Sequence, residues 1–398
     1  MNILVLSEVT SGGEWMATLN LIKSIKSFYP NINFLLIGIG SDTEYYSEFL
    51  YHKIIKRAQA SPPLSFLKKI IRDLVNIVRE IKNLNSYYRI DIIYSTNFLL
   101  SFAVYRFLTR KGYPHIYAFH GQKSVLRLQD DFSYRQVIIK FLERLSFFSP
   151  NIIVTPSPVG VQKIQTLLSI FSNYIDIQVI PNCIDLKFYK SISSIKLEAL
   201  RQLLGIPIYQ KTVMYIGRIA RYKGLVELLK GFQIFSERNE RITLIIVYPA
   251  INADPHILNY LLDFVFKYKL EKHVRFIPDI TLSKIPYMYK VADVVILPSE
   301  VEISPLVVLE ALTCGTPCIV SKAADDQKKI FSLSPELVLA NNKPDTINRM
   351  LHNFFTISKF RKRKIIQRLL NIYENPNKTA VDLFMSLCKS IIIETKFS

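Results

Sequence analysis

Short runs of β-branched and aliphatic residues alternate along the whole chain with longer amphipathic stretches. The runs in the first half are NILVLS, NFLLIGI, DIIYS, HIYAF, NIIVT and IQVI, and those in the second half are TVMYIG, TLIIVY, HVRFI, DVVILP and TPCIVS. Strands that alternate with helices form parallel sheets covered by helices. With 398 residues the chain is long enough for two α/β domains, and each half contains enough strands for its own doubly wound sheet.

A polar stretch between the two sets of strands marks the expected domain boundary. Pro181 and Asn182 in IPNCIDLKFYKSISS indicate a turn after a strand, and polar residues follow before the next helix. We therefore predict a first domain over residues 1–185 and a second over residues 186–377. Parallel sheets bind ligands beyond the carboxyl ends of their strands, so we expect two Rossmann-like sheets that face each other across a ligand-binding cleft.

Positive charge is the main departure from average composition. The chain has 51 Lys and Arg against 32 Asp and Glu, a net charge of +19. Such an excess suits nucleic acid, an anionic membrane surface or a phosphorylated substrate. Basic residues concentrate between residues 51 and 82 and in KFRKRK at 359–364. Neither cluster belongs to a nucleic-acid-binding motif, so nucleic acid is the least favoured of the three.

The sequence does not indicate a membrane-spanning or a disulfide-linked protein. No window contains the roughly 18 uninterrupted apolar residues that a transmembrane helix needs. The segment MNILVLSEVTSGGEW lacks the basic lead-in of a signal peptide and is interpreted as a first strand. Four cysteines are too few and too scattered for a disulfide framework or a zinc site. We expect a cytoplasmic protein.

The segment LPSEVEISPLVVLEALTCGTPCIVS, residues 297–321, predicts an anion-binding helix start. Ser304 suits the N-cap and Pro305 the first helical position, which leaves the N–H groups of residues 306–308 free at the positive end of the helix dipole. Glu302 precedes that end, and the side chain of Glu310 leans back toward it. Carboxylates bind hydroxyls and a helix start binds phosphate. A ligand that offers both groups is a sugar nucleotide.

A second segment, YIGRIARYKGLVELLKGF, adds cations to this prediction. Arg218 directly follows a strand and Lys223 precedes a helix. Each can form a charge-assisted bond to a diphosphate worth about 1.5–3 kcal/mol. Gly217 and Gly224 beside them allow the backbone to approach a ligand closely.

These motifs together resemble glycosyltransferase family 4, whose members have the GT-B fold. The resemblance is carried by GR…KG from Gly217, PS at Pro298, two glutamates separated by seven residues, EA and G-x-P, and by PNCIDLKFY at residues 181–189. It implies that Arg218 and Lys223 hold the donor diphosphate and stabilise the leaving nucleotide. It also implies donor contacts from Glu302 to sugar hydroxyls and from Glu310 to the ribose. The remaining implied donor-binding residues are Gly217, Ser304, Pro305, Leu306 and Val307.

The resemblance extends more loosely to the first half of the chain. SGGEW, with Gly12 and Gly13, is similar to the family's glycine-rich loop, and His120 in YAFHGQ is similar to the histidine that contacts the donor sugar. His120, Arg218, Lys223 and Glu302 are thus the predicted catalytic residues. The family also implies retention of anomeric configuration, a UDP- or GDP-linked donor, a glycan or lipid-linked acceptor and a C-terminal helix, here 378–398, that packs on the first domain. No metal cofactor is expected, and the chain contains no D-x-D triplet.

Departures from the family pattern leave alternatives open. Tyr248, Pro249 and Pro278 stand where glycines are usual near the nucleotide base. A catalytically inactive sugar-nucleotide-binding protein, a sugar-nucleotide epimerase and a basic nucleic-acid-binding protein remain as alternatives to a transferase.

The stretch over residues 64–83 has an apolar face and a basic face. Such a helix can lie on an anionic membrane surface, or it can pack on the first sheet as an ordinary surface helix. The lipid-linked acceptors of the family favour the first interpretation. The predicted localisation is therefore cytoplasmic with peripheral contact to the inner face of the membrane.

Overall fold

The computed structural model describes most of the chain. The described residues are 1–9, 13–40, 47–56, 63–97, 100–101, 113–121, 147, 150–168, 175–190, 194–207, 209–325, 329–372 and 376–397. They form two compact units. The first unit comprises Met1–Ile184 and Asn375–Ser398, and the second comprises Asp185–Glu374.

The first unit is built on a seven-stranded parallel sheet with the order β3-β2-β1-β4-β5-β6-β7. Its strands are β1 (Asn2–Val9), β2 (Asn33–Gly40), β3 (Tyr51–Lys56), β4 (Ile92–Ser95), β5 (His115–Ala118), β6 (Ile152–Thr155) and β7 (Asp176–Val179). Its helices include α1 (Gly13–Phe28), α2 (Pro63–Tyr87) and α3 (Pro158–Leu167). The order reverses between β1 and β4, as in a doubly wound sheet.

The second unit has a six-stranded parallel sheet with the order β10-β9-β8-β11-β12-β13. Its strands are β8 (Lys211–Ile216), β9 (Ile242–Tyr248), β10 (Val274–Pro278), β11 (Val294–Leu297), β12 (Cys318–Ser321) and β13 (Val338–Leu339). Its helices include α4 (Leu186–Lys190), α5 (Ser194–Leu203), α6 (Leu225–Ser236), α7 (Pro255–Lys267), α8 (Ile285–Val291), α9 (Leu306–Thr313), α10 (Lys329–Leu333), α11 (Pro344–Thr356) and α12 (Lys359–Ile372). Here the order reverses between β8 and β11.

A last helix, α13 (Pro376–Phe397), belongs to the first unit although the second unit precedes it in the chain. It packs against α1 on one face of the first sheet. Phe384 is fully buried there and meets the ring of Tyr94 edge-on at 5.5 Å between centroids. The side-chain amide of Asn377 donates to the carbonyl of Ile184 at 2.7 Å, which ties the start of α13 to the end of the unit's first segment.

Helix α2 covers the opposite face of the first sheet, as alternation along β1 requires: Ile3 and Val5 belong to the α1 side and Leu4 and Leu6 to the α2 side. The α2 side chains in this second cluster are Leu74, Ile77, Ile81 and Leu84. The apolar face of α2 is therefore used in packing over residues 72–87. Over this stretch the apolar residues pack on the sheet, as in an ordinary surface helix, and membrane contact by the basic face stays a prediction. The side chains of residues 63–71 lie outside the described part.

Two strands in the structure were not predicted from the sequence. Both β3 and β13 lie at an edge, and β3 mixes three polar residues with Tyr51, Ile54 and Ile55, so it lacks the apolar run of a central strand. The four cysteines are buried free thiols. Within the described residues, no helix is long and apolar enough to cross a membrane.

Candidate functional site

The strand order of the second sheet brings the two predicted ligand-binding segments together. Strands β8 and β11 are parallel neighbours, and Val294 and Val295 pair with Val213 and Met214. Arg218 follows β8 and Glu302 follows β11, so both lie beyond the carboxyl ends of the two strands between which the order reverses. Such a reversal point leaves a crevice that binds ligands in open α/β sheets.

Lys223 and Glu302 form an ion pair at this edge. The Lys223 Nζ lies 2.5 Å from Glu302 Oε1, and each side chain is only 13% exposed. Because both charged groups have lost most of their hydration, their attraction offsets that loss only at such a short distance. The sequence predicted that both residues contact a ligand, and it did not predict that they contact each other across 79 positions of the chain.

Backbone contacts hold the two segments in register. A 3-10 turn, Arg221–Lys223, follows Arg218, and the N–H of Glu300 donates to the carbonyl of Tyr222 at 2.8 Å. The Arg218 guanidinium donates to the Tyr222 hydroxyl at 2.7 Å. Gly224 then begins the connection to α6 with φ +68°, and a Cβ there would stand 2.2 Å from the Pro298 carbonyl oxygen. Tyr222 is a site residue that the sequence analysis missed.

The anion-binding helix is α9, but it begins one residue later than predicted. Pro305 is the N-cap, Leu306 is the first helical residue and Ser304 precedes the cap. The N–H of Val308 already bonds to the Pro305 carbonyl at 3.3 Å. Of the three amides expected to be free, only those of Leu306 and Val307 lack a partner among the described residues. A helix start with two free amides still suits one phosphate oxygen.

Glu310 is more enclosed than predicted. Its side chain is buried on α9, with the residue 7% exposed, and each carboxylate oxygen accepts a tyrosine hydroxyl. Tyr189 of α4 donates to Oε1 at 2.7 Å, and Tyr289 of α8 donates to Oε2 at 2.5 Å. Burial raises the pKa of Glu310, and the two hydrogen bonds partly oppose that rise. The family resemblance implied a contact from Glu310 to ribose hydroxyls, and neither tyrosine was predicted from the sequence.

The edge beside β9 and β10 carries the residues that depart from the family pattern. Tyr248 ends β9 with its ring edge-on to Phe276, at 6.4 Å between centroids. Asp279, after Pro278, adopts φ +52°. Its carboxylate accepts from the Ala250 N–H at 2.9 Å, and its own N–H donates to the Tyr248 carbonyl at 3.0 Å. The prolines are therefore compatible with an ordered edge.

The first sheet has its own pocket at its carboxyl edge. His120 follows β5 and lines a cavity of about 20 Å³, the size of one water molecule, together with Thr155, Asn182 and residues of α1 and α13. Among the described residues, neither His120 Nε2 nor Thr155 Oγ1 has a hydrogen-bond partner, although both atoms are buried. Burial lowers the pKa of His120 to about 4, so the imidazole is neutral near pH 7.

The glycine-rich segment is only partly described. Gly13 is exposed and begins α1 directly after the β1 loop, with open space where a Cβ would stand. Gly12 lies outside the described residues. Within the described part of the chain, no three His, Cys, Asp or Glu side chains are grouped so as to hold a metal ion.

Several curated proteins are similar to parts of this chain. D-inositol 3-phosphate glycosyltransferase of Corynebacterium glutamicum is 30% identical over 150 residues, 37% of this chain and 35% of that protein. Alpha-monoglucosyldiacylglycerol synthase of Streptococcus pneumoniae is 28% identical over 237 residues, 58% of this chain and 52% of that protein. The alignments thus span about a third to a half of the length of these relatives.

Solved structures share the fold over nearly the whole chain. Anabaena HepE in complex with UDP and glucose superposes with a TM-score of 0.76 at 18% identity, over 98% of this chain and all of that one. Sucrose-phosphate synthase from Thermosynechococcus elongatus superposes with a TM-score of 0.74 at 17% identity, over 98% of this chain and 100% of that one. At these identities the likeness establishes the GT-B fold.

Family models match both parts of the chain. The model for Glycosyltransferase Family 4 matches residues 40–188, and the model for Glycosyl transferases group 1 matches residues 198–368. Together they match most of the sequence, including all of the second sheet and the first sheet from β3 to β7. The chain therefore belongs to the GT-B glycosyltransferases of family 4 and group 1.

Proposed function

We propose that this protein is a retaining glycosyltransferase that moves a sugar from a UDP- or GDP-linked donor to a glycan or lipid-linked acceptor. The observation that carries the proposal is the cluster at the reversal point of the second sheet. Two cations, Arg218 and Lys223, stand there beside the carboxylate of Glu302 and the amides at the start of α9 that lack a partner in the described part of the chain. Cations and amides suit a diphosphate, and the carboxylate suits hydroxyls.

The names of similar proteins support the ligand classes. HepE was solved with UDP and with glucose, which makes a uridine nucleotide the first donor to test. The pneumococcal relative is named as a synthase of a glycosylated diacylglycerol, and the corynebacterial relative acts on an inositol phosphate. For this chain we infer an acceptor with a free hydroxyl on a lipid or a glycan.

In the proposed reaction the protein stabilises a leaving group and supplies no nucleophile. The bond between the anomeric carbon and the diphosphate oxygen breaks, and the acceptor hydroxyl forms the new glycosidic bond on the same face while its proton passes to the departing phosphate. Arg218, Lys223 and the α9 amides would stabilise the negative charge that grows on the diphosphate. Lys223 must then move from Glu302 to the phosphate, which frees Glu302 for a sugar hydroxyl.

His120 and Glu310 would orient the substrate. A neutral imidazole whose buried Nε2 has no partner among the described residues can bond a sugar hydroxyl without adding charge. Glu310 has both oxygens engaged by tyrosines, and each oxygen keeps a second acceptor position for a ribose hydroxyl. We propose no metal, because two cations and a helix start already face the diphosphate position.

The proposal is tested by a thermal-shift screen of UDP- and GDP-sugars, followed by donor hydrolysis and transfer assays with the best donor. We expect one nucleotide class to raise the Tm and the same donor to be consumed. A Tm rise without turnover for any acceptor would instead identify the inactive binding protein. No Tm rise with any nucleotide sugar would reject the donor site.

A further inference from the structure

The basic cluster at residues 359–364 is not part of the donor site. It forms the start of α12, which carries six Lys and Arg over residues 359–372 and no Asp or Glu. Ile365 and Leu369 anchor this helix in the second unit with 4% and 0% exposure. The other side of the helix therefore presents its charges to solvent. Lys359, Arg361, Arg363, Lys364 and Arg368 are exposed.

Large apolar side chains stand among these charges. Phe360 is 67% exposed in the first turn of α12, with Lys364 Nζ 4.6 Å from its ring centroid. Phe331 and Leu333 of the neighbouring α10 are 52% and 37% exposed. Arg361 lies 3.5 Å from Glu336, three residues after Leu333, so the first turn of α12 adjoins the end of α10. We name Phe331, Leu333, Phe360 and the exposed cations of α12 the α12 surface.

Lys362 packs against the second unit and lies outside the α12 surface. Desolvation lowers the pKa of Lys362, and its neighbours Lys211 and Lys359 lower it further, whereas Asp293 opposes them. Lys362 lies over the Phe354 ring at 4.0 Å, and Lys211 lies over the Phe355 ring at 5.0 Å. The α12 surface itself carries five exposed cations on a helix that contains no Asp or Glu, so it favours a partner that supplies negative charge over a broad area.

We propose that the α12 surface binds an anionic lipid bilayer, with the cations on the headgroups and Phe360 inserted at the interface. Exposed aromatic side chains within a basic helix suit a membrane interface, where lipid phosphates meet acyl chains. Duplex nucleic acid would meet the charges but offers no apolar layer to Phe360. We favour the α12 surface over α2 for insertion into the membrane interface, because the apolar side of α2 over residues 72–87 packs on the first sheet. The inference does not rest on the donor chemistry.

Co-sedimentation of the full chain tests the proposal, with vesicles of phosphatidylcholine alone and of phosphatidylcholine mixed with phosphatidylglycerol. We expect binding to the mixed vesicles only. Phe360→Ala should weaken it about tenfold, because a large apolar side chain no longer leaves water. Replacing Lys359, Arg363 and Lys364 together by Gln should weaken it about a hundredfold, at roughly fivefold per cation near an anionic surface.

A triple variant of α2 is the matched control. Arg72, Arg79 and Lys82 are exposed cations of the first unit, and their replacement by Gln removes the same charge. We expect that variant to bind within about threefold of the wild type. An equal loss in the two triple variants, or wild-type binding by Phe360→Ala, would overturn the proposal. Binding of unrelated duplex DNA would also overturn the proposal if the DNA competes with vesicles and Phe360→Ala does not weaken its binding. Unchanged Tm values exclude unfolding as the cause of any loss.

Discussion

At the scale of single residues, the carboxylate of Glu310 depends on hydroxyls from distant parts of the chain. Tyr189 lies 121 positions away and Tyr289 lies 21 positions away. Cys314 and Asp185 also act electrostatically on Tyr189 in this cluster. A buried carboxylate needs such donors because it has lost its hydration. Neither tyrosine forms a recognisable motif with Glu310, so the sequence alone could not predict the arrangement.

The first prediction concerns Tyr189→Phe. Burial raises the pKa of Glu310 and the tyrosine hydrogen bonds lower it, so removal of one hydroxyl raises the pKa further. A carboxyl whose pKa is higher in the folded than in the unfolded state stabilises the fold at pH values below its unfolded-state pKa. This stabilisation is lost as the pH rises through the folded-state pKa. The variant should therefore have a lower free energy of unfolding than the wild type, and we expect this difference to grow by on the order of 1 kcal/mol between pH 4 and pH 8.

Urea unfolding of both proteins across this pH range measures the deficit. Tyr215→Phe is the matched control, because the buried Tyr215 hydroxyl donates to the backbone carbonyl of Arg218 at 2.7 Å and not to a carboxylate. Its deficit should be the same at every pH. A pH-independent deficit for Tyr189→Phe as well would show that its hydroxyl does not influence the ionisation of Glu310.

The second prediction separates stability from activity at the Lys223–Glu302 pair. Lys223→Met leaves the Glu302 carboxylate poorly solvated, so we expect a loss of about 3 kcal/mol in the free energy of unfolding. Adding Glu302→Leu should restore most of that loss, because two apolar side chains can replace a buried ion pair. Sugar transfer should remain at least about a hundredfold below wild type in both variants, because the diphosphate has lost its lysine.

Lys53→Met is the matched control for this experiment. Lys53 and Glu80 also approach to 2.5 Å, but Lys53 is 51% exposed and stands in the first unit. The Glu80 side chain is also only 13% exposed, but it keeps a hydrogen bond from the Tyr51 hydroxyl at 2.7 Å, so we expect a smaller loss of stability than for Lys223→Met, and unchanged transfer. Recovery of transfer together with stability in the double variant would assign Lys223 a purely structural role.

At the scale of elements, the turn at Gly224 determines where Lys223 stands. Gly224→Ala combines a left-handed φ with a Cβ 2.2 Å from the Pro298 carbonyl oxygen, so the turn must move away from the end of β11. We expect a loss of about 3 kcal/mol or more in the free energy of unfolding, together with weaker donor binding. Chemical denaturation and a nucleotide thermal-shift titration measure the two effects.

Gly205→Ala is the control for the turn. Gly205 has φ +64°, nearly the same as Gly224, but nothing lies within 4 Å of an added Cβ. The backbone strain alone should then remove about 1 kcal/mol. Equal losses in the two variants would mean that the contact with Pro298 does not hold the turn.

The sequence predicted central elements well and edges poorly. Runs such as DVVILP and TLIIVY are apolar on both faces because they become central strands, and the structure confirms them as β11 and β9. The edge strands β3 and β13 escaped detection, one with a mixed composition and the other with two residues. The predicted start of α9 was one residue too early, because Ser304 and Pro305 are both residue types that are common at helix starts. Which of two such adjacent residues becomes the N-cap depends on tertiary contacts that the sequence does not show.

At the scale of the whole molecule, the first unit is completed by a helix that follows the second unit. Phe384→Ala empties the position that this ring fills on α13, so we expect a loss of about 3–5 kcal/mol. Hydrogen exchange should locate the loss: strands β1 and β4 of the first unit lose protection, whereas β8 and β11 of the second unit keep theirs.

Leu383→Ala is the adjacent control. Leu383 is 43% exposed on the same helix, so its truncation should change the free energy of unfolding by less than about 1 kcal/mol. A comparable loss of protection in both units for Phe384→Ala would mean that the chain unfolds as one cooperative body and not as the two units described.

The position of α13 also has a consequence for synthesis on the ribosome. The strands of the first unit emerge early, but one face of their sheet lacks part of its cover until α13 leaves the exit tunnel. The second unit, whose segment is continuous, can finish folding in the meantime. Chains that end before residue 376, joined to the ribosome by a linker long enough to fill the exit tunnel, should therefore carry a folded second unit and a first unit that still binds chaperones.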